Sequence, residues 1–220
     1  MTLVQDTAGL HAALANSNVV HIMLAAGTYT VHPRQDISRD LKLEAIQRGT
    51  VVLDGEKLEG LFAISAGAVE LVGLNITGGQ THSSSSLGPG GGLWVTGGTV
   101  IVDHCSIYDN WATDGGGAYV TGGQVAFLHC AFFRNYASAM FAGSDMHVTE
   151  PATVCMFETD ATMIEGVVSI CPAPPPSPLA PPPSPPSYPP PPPSVPPSPP
   201  PPLPFHPPSS PPVPSLPPPL

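Results

Sequence analysis

The sequence predicts an all-β fold, a right-handed parallel β-helix of about six coils with an N-terminal capping helix, followed by a disordered polyproline II tail. Three observations carry this expectation. Two adjacent segments, one starting at Gly90 and the other at Gly115, repeat each other without gaps. Within them apolar residues alternate with period two and glycine pairs punctuate the runs, which is the pattern of short strands rather than helices. Finally, 30 of the 33 prolines fall after Cys171.

The repeat aligns Gly90–Asp114 (GGGLWVTGGTVIVDHCSIYDNWATD) with Gly115–Ala139 (GGGAYVTGGQVAFLHCAFFRNYASA). The first unit places Val100, Val102, Cys105, Ile107 and Asn110 at the same offsets as Val125, Phe127, Cys130, Phe132 and Asn135 in the second. An earlier unit fits after a six-residue insertion, with Val69, Leu71, Leu74, Ile76 and Gly79. A decayed later unit puts Cys155, Phe157 and Asp160 in register, with Cys155 as far past Cys130 as Cys130 is past Cys105. Self-similarity over units of this length marks a solenoid, whose units bury their apolar faces by stacking on one another. The alternation slips by one between Val102 and Cys105. A strand does this when it bends sharply at Asp103–His104 and keeps the side chains of both arms inside.

Stacked coils sit about 4.8 Å apart, so equivalent residues form ladders. Cys105, Cys130 and Cys155 are expected to form one, as buried free thiols that behave as small hydrophobes. Cys171 lies outside it, and a bridge from Cys155 to Cys171 stays open. Asn110 and Asn135 form a second ladder, whose amides hydrogen-bond along the stack and fix the turn. The cysteine ladder is one-dimensional with no inward histidine beside it, so no metal site and no cofactor is expected.

At the front, Asp6-Thr7 followed by Leu10, Ala13 and Leu14 reads as an N-capped amphipathic helix ending near Asn16. It is expected to lid the first coil and hide the open edge of the solenoid. Strand candidates follow at Val19–Leu24, Leu41–Ile46, Thr50–Leu53 and Leu61–Ser65.

Composition narrows the partners. The formal charge of −10 belongs wholly to residues 1–171, because residues 172–220 contain no Lys, Arg, Asp or Glu. An acidic domain without a basic cluster repels phosphate backbones, so nucleic acid is excluded as a partner, and anionic polysaccharide is disfavoured on the same ground. No run of about 18 apolar residues exists, so no transmembrane helix is expected. Met1–Leu10 lacks the basic and apolar regions of a signal peptide.

The stretches LAAGTYTV (Leu24–Val31), VVLDGEKLEGLFAIS and GAVELVGLNITGG resemble the right-handed β-helix, pectin-lyase-like superfamily, and the two GGG…N units match its repeat style, also similar to that of polymorphic outer-membrane proteins. The resemblance covers nearly all of residues 2–170. It implies the fold, while its members include lyases, hydrolases, adhesins and inert matrix proteins. The tail, with its Ser-Pro-Pro and Pro-Pro-Pro-Ser units, resembles hydroxyproline-rich cell-wall glycoproteins, including pherophorin and extensin-like rods.

For an enzyme, the resemblance implies close-set aspartates with Gly-His-Gly and Arg-x-Lys, or clustered calcium-binding acids with a catalytic arginine. Neither pattern is present, and Arg34, Arg39, Arg48 and Arg134 lie in no such motif. No catalytic residue is assigned, and the chain reads as a non-enzyme, with a polysaccharide lyase or hydrolase as the alternative.

The candidate carbohydrate-binding surface is the stack of the two clean repeats. His104 and His129 fall at the same bend of adjacent coils, and Trp111 and Tyr136 at the same turn, with Asp103, Asp109, Asp114 and Arg134 nearby in sequence. Two aromatics on neighbouring coils stack on sugar rings, while acids and imidazoles supply hydrogen bonds. The plainer and preferred reading has Trp111 and Tyr136 packed over the turns and the histidines on a solvated edge. Asn75-Ile76-Thr77 is an N-glycosylation sequon, with Asn75 expected to face outward.

The expected organisation is a β-helix domain at 1–171 and a proline-rich tail at 172–220. Fully extended, that tail would span roughly 150 Å. The function expected is an extracellular matrix or cell-wall protein whose partners are polysaccharide or matrix glycoproteins. The third alternative is an intracellular scaffold whose tail engages proline-binding domains.

Overall fold

The computed structural model describes residues 1–81, 89–139 and 143–171. The stretch expected as a polyproline II tail, 172–220, lies outside the described residues.

Strand β1 (Thr2–Val4) leads into helix α1 (Thr7–Ala15). The first coil is β2 (His21–Leu24), β3 (Gly27–Thr30) and β4 (Gln35–Ile37). The second is β5 (Leu41–Ala45), β6 (Val51–Asp54) and β7 (Phe62–Ile64), and the third is β8 (Ala68–Val72), β9 (Leu74–Thr77) and β10 (Leu93–Val95). The fourth gains a short strand: β11 (Thr99–Asp103), β12 (Ser106–Tyr108), β13 (Trp111–Ala112) and β14 (Ala118–Val120). The fifth repeats it with β15 (Gln124–Leu128), β16 (Ala131–Phe133), β17 (Tyr136–Ala137) and β18 (Met146–Val148). The sixth keeps β19 (Thr153–Phe157) and β20 (Ile164–Glu165), and β21 (Ser169–Ile170) closes the stack. The strands form sheets of eight, six, five and two members, with parallel pairing throughout. This is an all-β solenoid with one N-terminal helix.

The interior consists of the ladders that the alternation requires. On the eight-stranded sheet, Ile22, Leu43, Leu71, Val102, Phe127 and Met156 follow one another in register. On the five-stranded sheet, Tyr29, Leu53, Ile76, Ile107 and Phe132 do the same. Val102, Phe127, Leu53, Ile76 and Ile107 are fully buried. Each such side chain contributes about 1.5–3 kcal/mol by leaving water.

Asp6 caps α1, its carboxylate accepting from Gly9 N at 2.7 Å. Leu10 and Ala13 are buried, and the helix packs on β1 and β3. Thr7 Oγ1 accepts from Thr30 N at 3.0 Å. Arg39 reaches back from the first coil to donate to Leu14 O at 2.9 Å, a carbonyl of the last helical turn, and to Val19 O at 2.6 Å in the segment that follows the helix. The helix thus seats on the first coil as expected. The edge strand of the large sheet is nonetheless β1, an element too short to announce itself in the sequence.

The last coil departs from the expected register. Thr99 pairs with Gln124, a step of 25, but Gln124 pairs with Thr153, a step of 29. Three extra residues precede β18 and one more precedes β19. Cys155 therefore pairs with outward-facing Ala126 rather than stacking on Cys130, and it forms a disulfide with Cys171. Asp160 comes level with Ala131 rather than with Asn135. The three-thiol ladder is corrected to Cys105, Cys130 and Thr159. Cys105 Sγ donates to Leu71 O (3.4 Å), Cys130 Sγ to Val102 O (3.2 Å) and Thr159 Oγ1 to Phe127 O (3.0 Å). A hydroxyl replaces the thiol because the position needs a small donor. Burial pushes the Cys130 thiol up to about 12 and the Cys105 thiol higher still, so both remain protonated at neutral pH.

The asparagine pair forms its ladder. Asn110 Nδ2 donates to Asn135 Oδ1 at 3.1 Å and to Ile76 O at 3.1 Å, and Asn110 Oδ1 accepts from Gly79 N at 2.9 Å. Asn135 Nδ2 donates to Ile107 O at 2.9 Å and to Asp145 at 3.1 Å. Asp145 also accepts from the backbone of Thr162 and Met163, so a buried carboxylate ends the ladder. The third glycine of each triplet makes room for it. A Cβ on Gly92 would lie 3.2 Å from the Asn110 amide and 2.6 Å from Gly117 O, and one on Gly117 would lie 3.0 Å from the Asn135 amide.

Candidate functional site

Each middle coil turns twice around β12 or β16. The first turn is a bend at His104 and His129, both with φ of 52°. The second is at Asp109 (φ 54°) and Arg134 (φ 55°), where the asparagine ladder holds the chain. Short strands separated by left-handed residues thus project side chains of adjacent coils in parallel, and two distinct outer clusters result.

The second turn carries the aromatic cluster. Trp111 pairs with Tyr136 across β13 and β17, with ring centroids 6.2 Å apart and planes inclined by 27°. Tyr136 is 56% exposed. Asp109 and Arg134 form a two-pronged ion pair, with Nε to Oδ1 at 2.8 Å and the second prong at 2.5 Å. The Arg134 guanidinium lies over the rings of Tyr108 (5.8 Å) and Phe133 (5.2 Å), themselves stacked at 4.8 Å. The hydrogen bonds from Arg134 hold the Asp109 carboxyl below its usual range. Asp109, Trp111, Arg134 and Tyr136, with Asp54, Glu56, Lys57 and Gln80 from earlier coils, line an open depression of about 660 Å³.

The bend carries the histidine cluster. His104 Nδ1 lies 2.6 Å and His129 Nδ1 3.0 Å from the same Asp103 Oδ1. The rings stack at 4.4 Å with an inclination of 30°. His129 Nε2 faces Glu158 Oε2 at 3.5 Å, and its ring meets Phe157 edge-on at 5.5 Å. Burial alone would raise the Asp103 carboxyl, but the hydrogen bonds from His129 and His104 outweigh it and hold the carboxyl below its usual range.

No protein-family model, curated protein or solved structure matches this chain. Its chemistry is therefore read from its own geometry.

That geometry divides the residues the sequence had grouped. Trp111, Tyr136, Asp109 and Arg134 come together at the depression, whereas His104 and His129 sit at the other end of β12 and β16 and do not line it. The acids separate as well: Asp109 goes to Arg134, Asp103 to the histidines, and Asp114 to His147 at 3.4 Å. The repeat reveals which residues stack, but not which turn of the coil they occupy. Glu158 joins the histidine cluster only through the four-residue shift of the last coil, and Asp54, Glu56 and Gln80 come from coils with weaker repeats. None of these had a local signal.

Asn75 is half-buried, on the outward face of β9. Its Nδ2, the atom a glycan would join, donates to Gly49 O at 2.9 Å and Val51 O at 3.1 Å. The folded coil thus occupies both amide hydrogens, which weighs against modification after folding.

Proposed function

We propose that this chain is an extracellular, non-catalytic, carbohydrate-associated β-solenoid of the pectin-lyase-like kind, with residues 1–171 as the binding domain and 172–220 as a glycosylated rod. The observation that carries the reading is the parallel pair Trp111 and Tyr136 on adjacent coils, beside a polar depression. The stacked pair, with Tyr136 exposed, offers an apolar surface for the C–H face of a sugar, and the flanking Asp109, Gln80 and Asp54 supply hydrogen-bonding groups. Arg134 is neutralised by Asp109, Asp54 and Glu56 outweigh Lys57 in the lining, and the domain is acidic, which favours a neutral polysaccharide over a uronan. The Cys155–Cys171 disulfide supports an oxidising compartment and weighs against the intracellular scaffold.

Binding is preferred over hydrolysis for a chemical reason. A general acid needs its carboxyl raised toward neutrality. Asp109 is lowered instead, and both its oxygens are taken by Arg134.

The test is calorimetric titration of the full chain with soluble neutral β-glucan hexasaccharides, with polygalacturonate as the contrast. Trp111→Ala and Tyr136→Ala should each weaken binding by roughly ten-fold or more while leaving the melting temperature nearly unchanged. Undiminished binding by the double variant would overturn the reading. So would release of reducing ends that Asp109→Ala abolishes.

A further inference from the structure

We propose that Asp103, His104 and His129 form a binding site for a divalent transition-metal ion of the zinc class. Among the described residues, they are the set of three metal-ligating side chains whose ligand atoms all lie within 4.8 Å of one another. The site is separate from the sugar depression, so neither proposal depends on the other.

The two imidazoles point the same atom at the same oxygen. A carboxylate only accepts hydrogen bonds, so in the metal-free protein both Nδ1 atoms carry the proton that they donate to Asp103. A neutral imidazole needs only to change tautomer to become a ligand. Nδ1 then offers its lone pair to the metal, and the proton moves to Nε2. For His129 that Nε2–H faces the Glu158 carboxylate, 3.5 Å away. Such an outer carboxylate orients a metal-bound imidazole and raises its basicity.

The distances suit the insertion of an ion. Tetrahedral zinc with bonds of about 2.0–2.2 Å sets its ligand atoms about 3.3 Å apart. The present gaps of 2.6 and 3.0 Å need to open by less than about 1 Å. The three side chains are between 23% and 33% exposed, so an ion reaches them from solvent and keeps water in its remaining position. Two nitrogens and one carboxylate suit zinc, copper or nickel, whereas calcium and magnesium require six or more oxygens.

The backbone supplies an independent observation. The bend position is glycine in the third coil (Gly73, φ 71°), where left-handed geometry is free of strain. The fourth and fifth coils place histidine there at φ of 52°, which costs about 1 kcal/mol or more at each. The bend itself does not require imidazole. Glu158 holds the same bend in the sixth coil (φ 45°), so what is particular to the fourth and fifth coils is the pair of stacked histidines that share a carboxylate.

The experiment uses the full chain and Zn²⁺ alone at neutral pH. Calorimetry should show one equivalent bound, and ¹⁵N spectra of the imidazoles should place the metal on Nδ1 of both residues. His104→Gln and His129→Gln keep a donor toward Asp103, so each should melt near wild type yet bind zinc roughly ten-fold or more weakly. Asp103→Asn should weaken binding likewise. His147→Ala, at the other histidine–aspartate pair, should leave it unchanged. Absence of saturable binding, Nε2 coordination, or full affinity in the His104→Gln/His129→Gln double variant would each overturn the proposal.

Discussion

Between the fourth and fifth coils, Thr99 pairs with Gln124 at the step of the sequence repeat, and the inward cysteines and asparagines repeat their hydrogen bonds one coil on; between the fifth and sixth, Gln124 pairs with Thr153 at a longer step, and much of the repetition stops. What survives the change is what the backbone requires. The left-handed bend persists at Glu158 (φ 45°), and Thr159 keeps the donor that Cys105 and Cys130 supply. The histidine stack and the aromatic pair do not persist. Features lost without loss of the coil are those the coil does not need. That singles out His104–His129 as an addition to the bend, whereas the turn of Trp111–Tyr136 has no matching strand in the sixth coil among the described residues.

The contrast can be tested first by packing. Phe127 and Met156 occupy one inward ladder, but Phe127 is fully buried whereas Met156 is only half-buried. Phe127→Ala should cost about 3–5 kcal/mol in urea unfolding, and Met156→Ala less than half of that. Equal losses would show the sixth coil to be packed as tightly as the fifth.

The next largest effect should come from the cross-link. The disulfide joins residues 16 apart in sequence, a loop whose closure is worth about 3 kcal/mol in the chain-entropy account. Cys155→Ser should therefore release amide protection in β19–β21 while β11–β16 keep theirs, as read by hydrogen exchange. Uniform loss across both regions would mean that the coils open as one unit.

The smallest effect concerns acid. A folded-state carboxyl lowered below its unfolded value adds stability above the usual carboxylate range and loses it as pH falls through the folded value. Asp103, held down by His129 and His104 against burial, and Glu44, held down against burial by Lys42 and His21, both behave so. Melting curves should fall below about pH 4. Asp103→Asn should flatten part of that limb, by about 1 kcal/mol or less because the group is partly solvated. An unchanged acid limb would show that the histidine pair does not stabilise the bend.

The repeat made much of the solenoid legible. Period-two alternation assigned inward residues from Val69 to Phe132, and Asp6 with Leu10 and Ala13 marked the helix. The sixth coil was misread because Cys155 falls at the repeat spacing from Cys130 by coincidence, in a segment too degenerate to reveal its four extra residues. Asp145 gave no signal, since an isolated aspartate reads as a surface residue until an asparagine amide is found pointing at it. The site was half legible. Stacking partners follow from spacing, while the division between bend and turn depends on where β12 and β16 run.

The disulfide also has a mechanical consequence. Cys171, the last of the described residues, is bonded through sulfur to Cys155. Tension drawn from the C-terminal side therefore passes into the middle of β19 and skips Met156–Ile170. Five residue pairs clamp β19 against β15. A pull directed along these parallel strands loads the intervening hydrogen bonds together, so the terminal coil resists in shear where an unlinked strand would peel away one bond at a time.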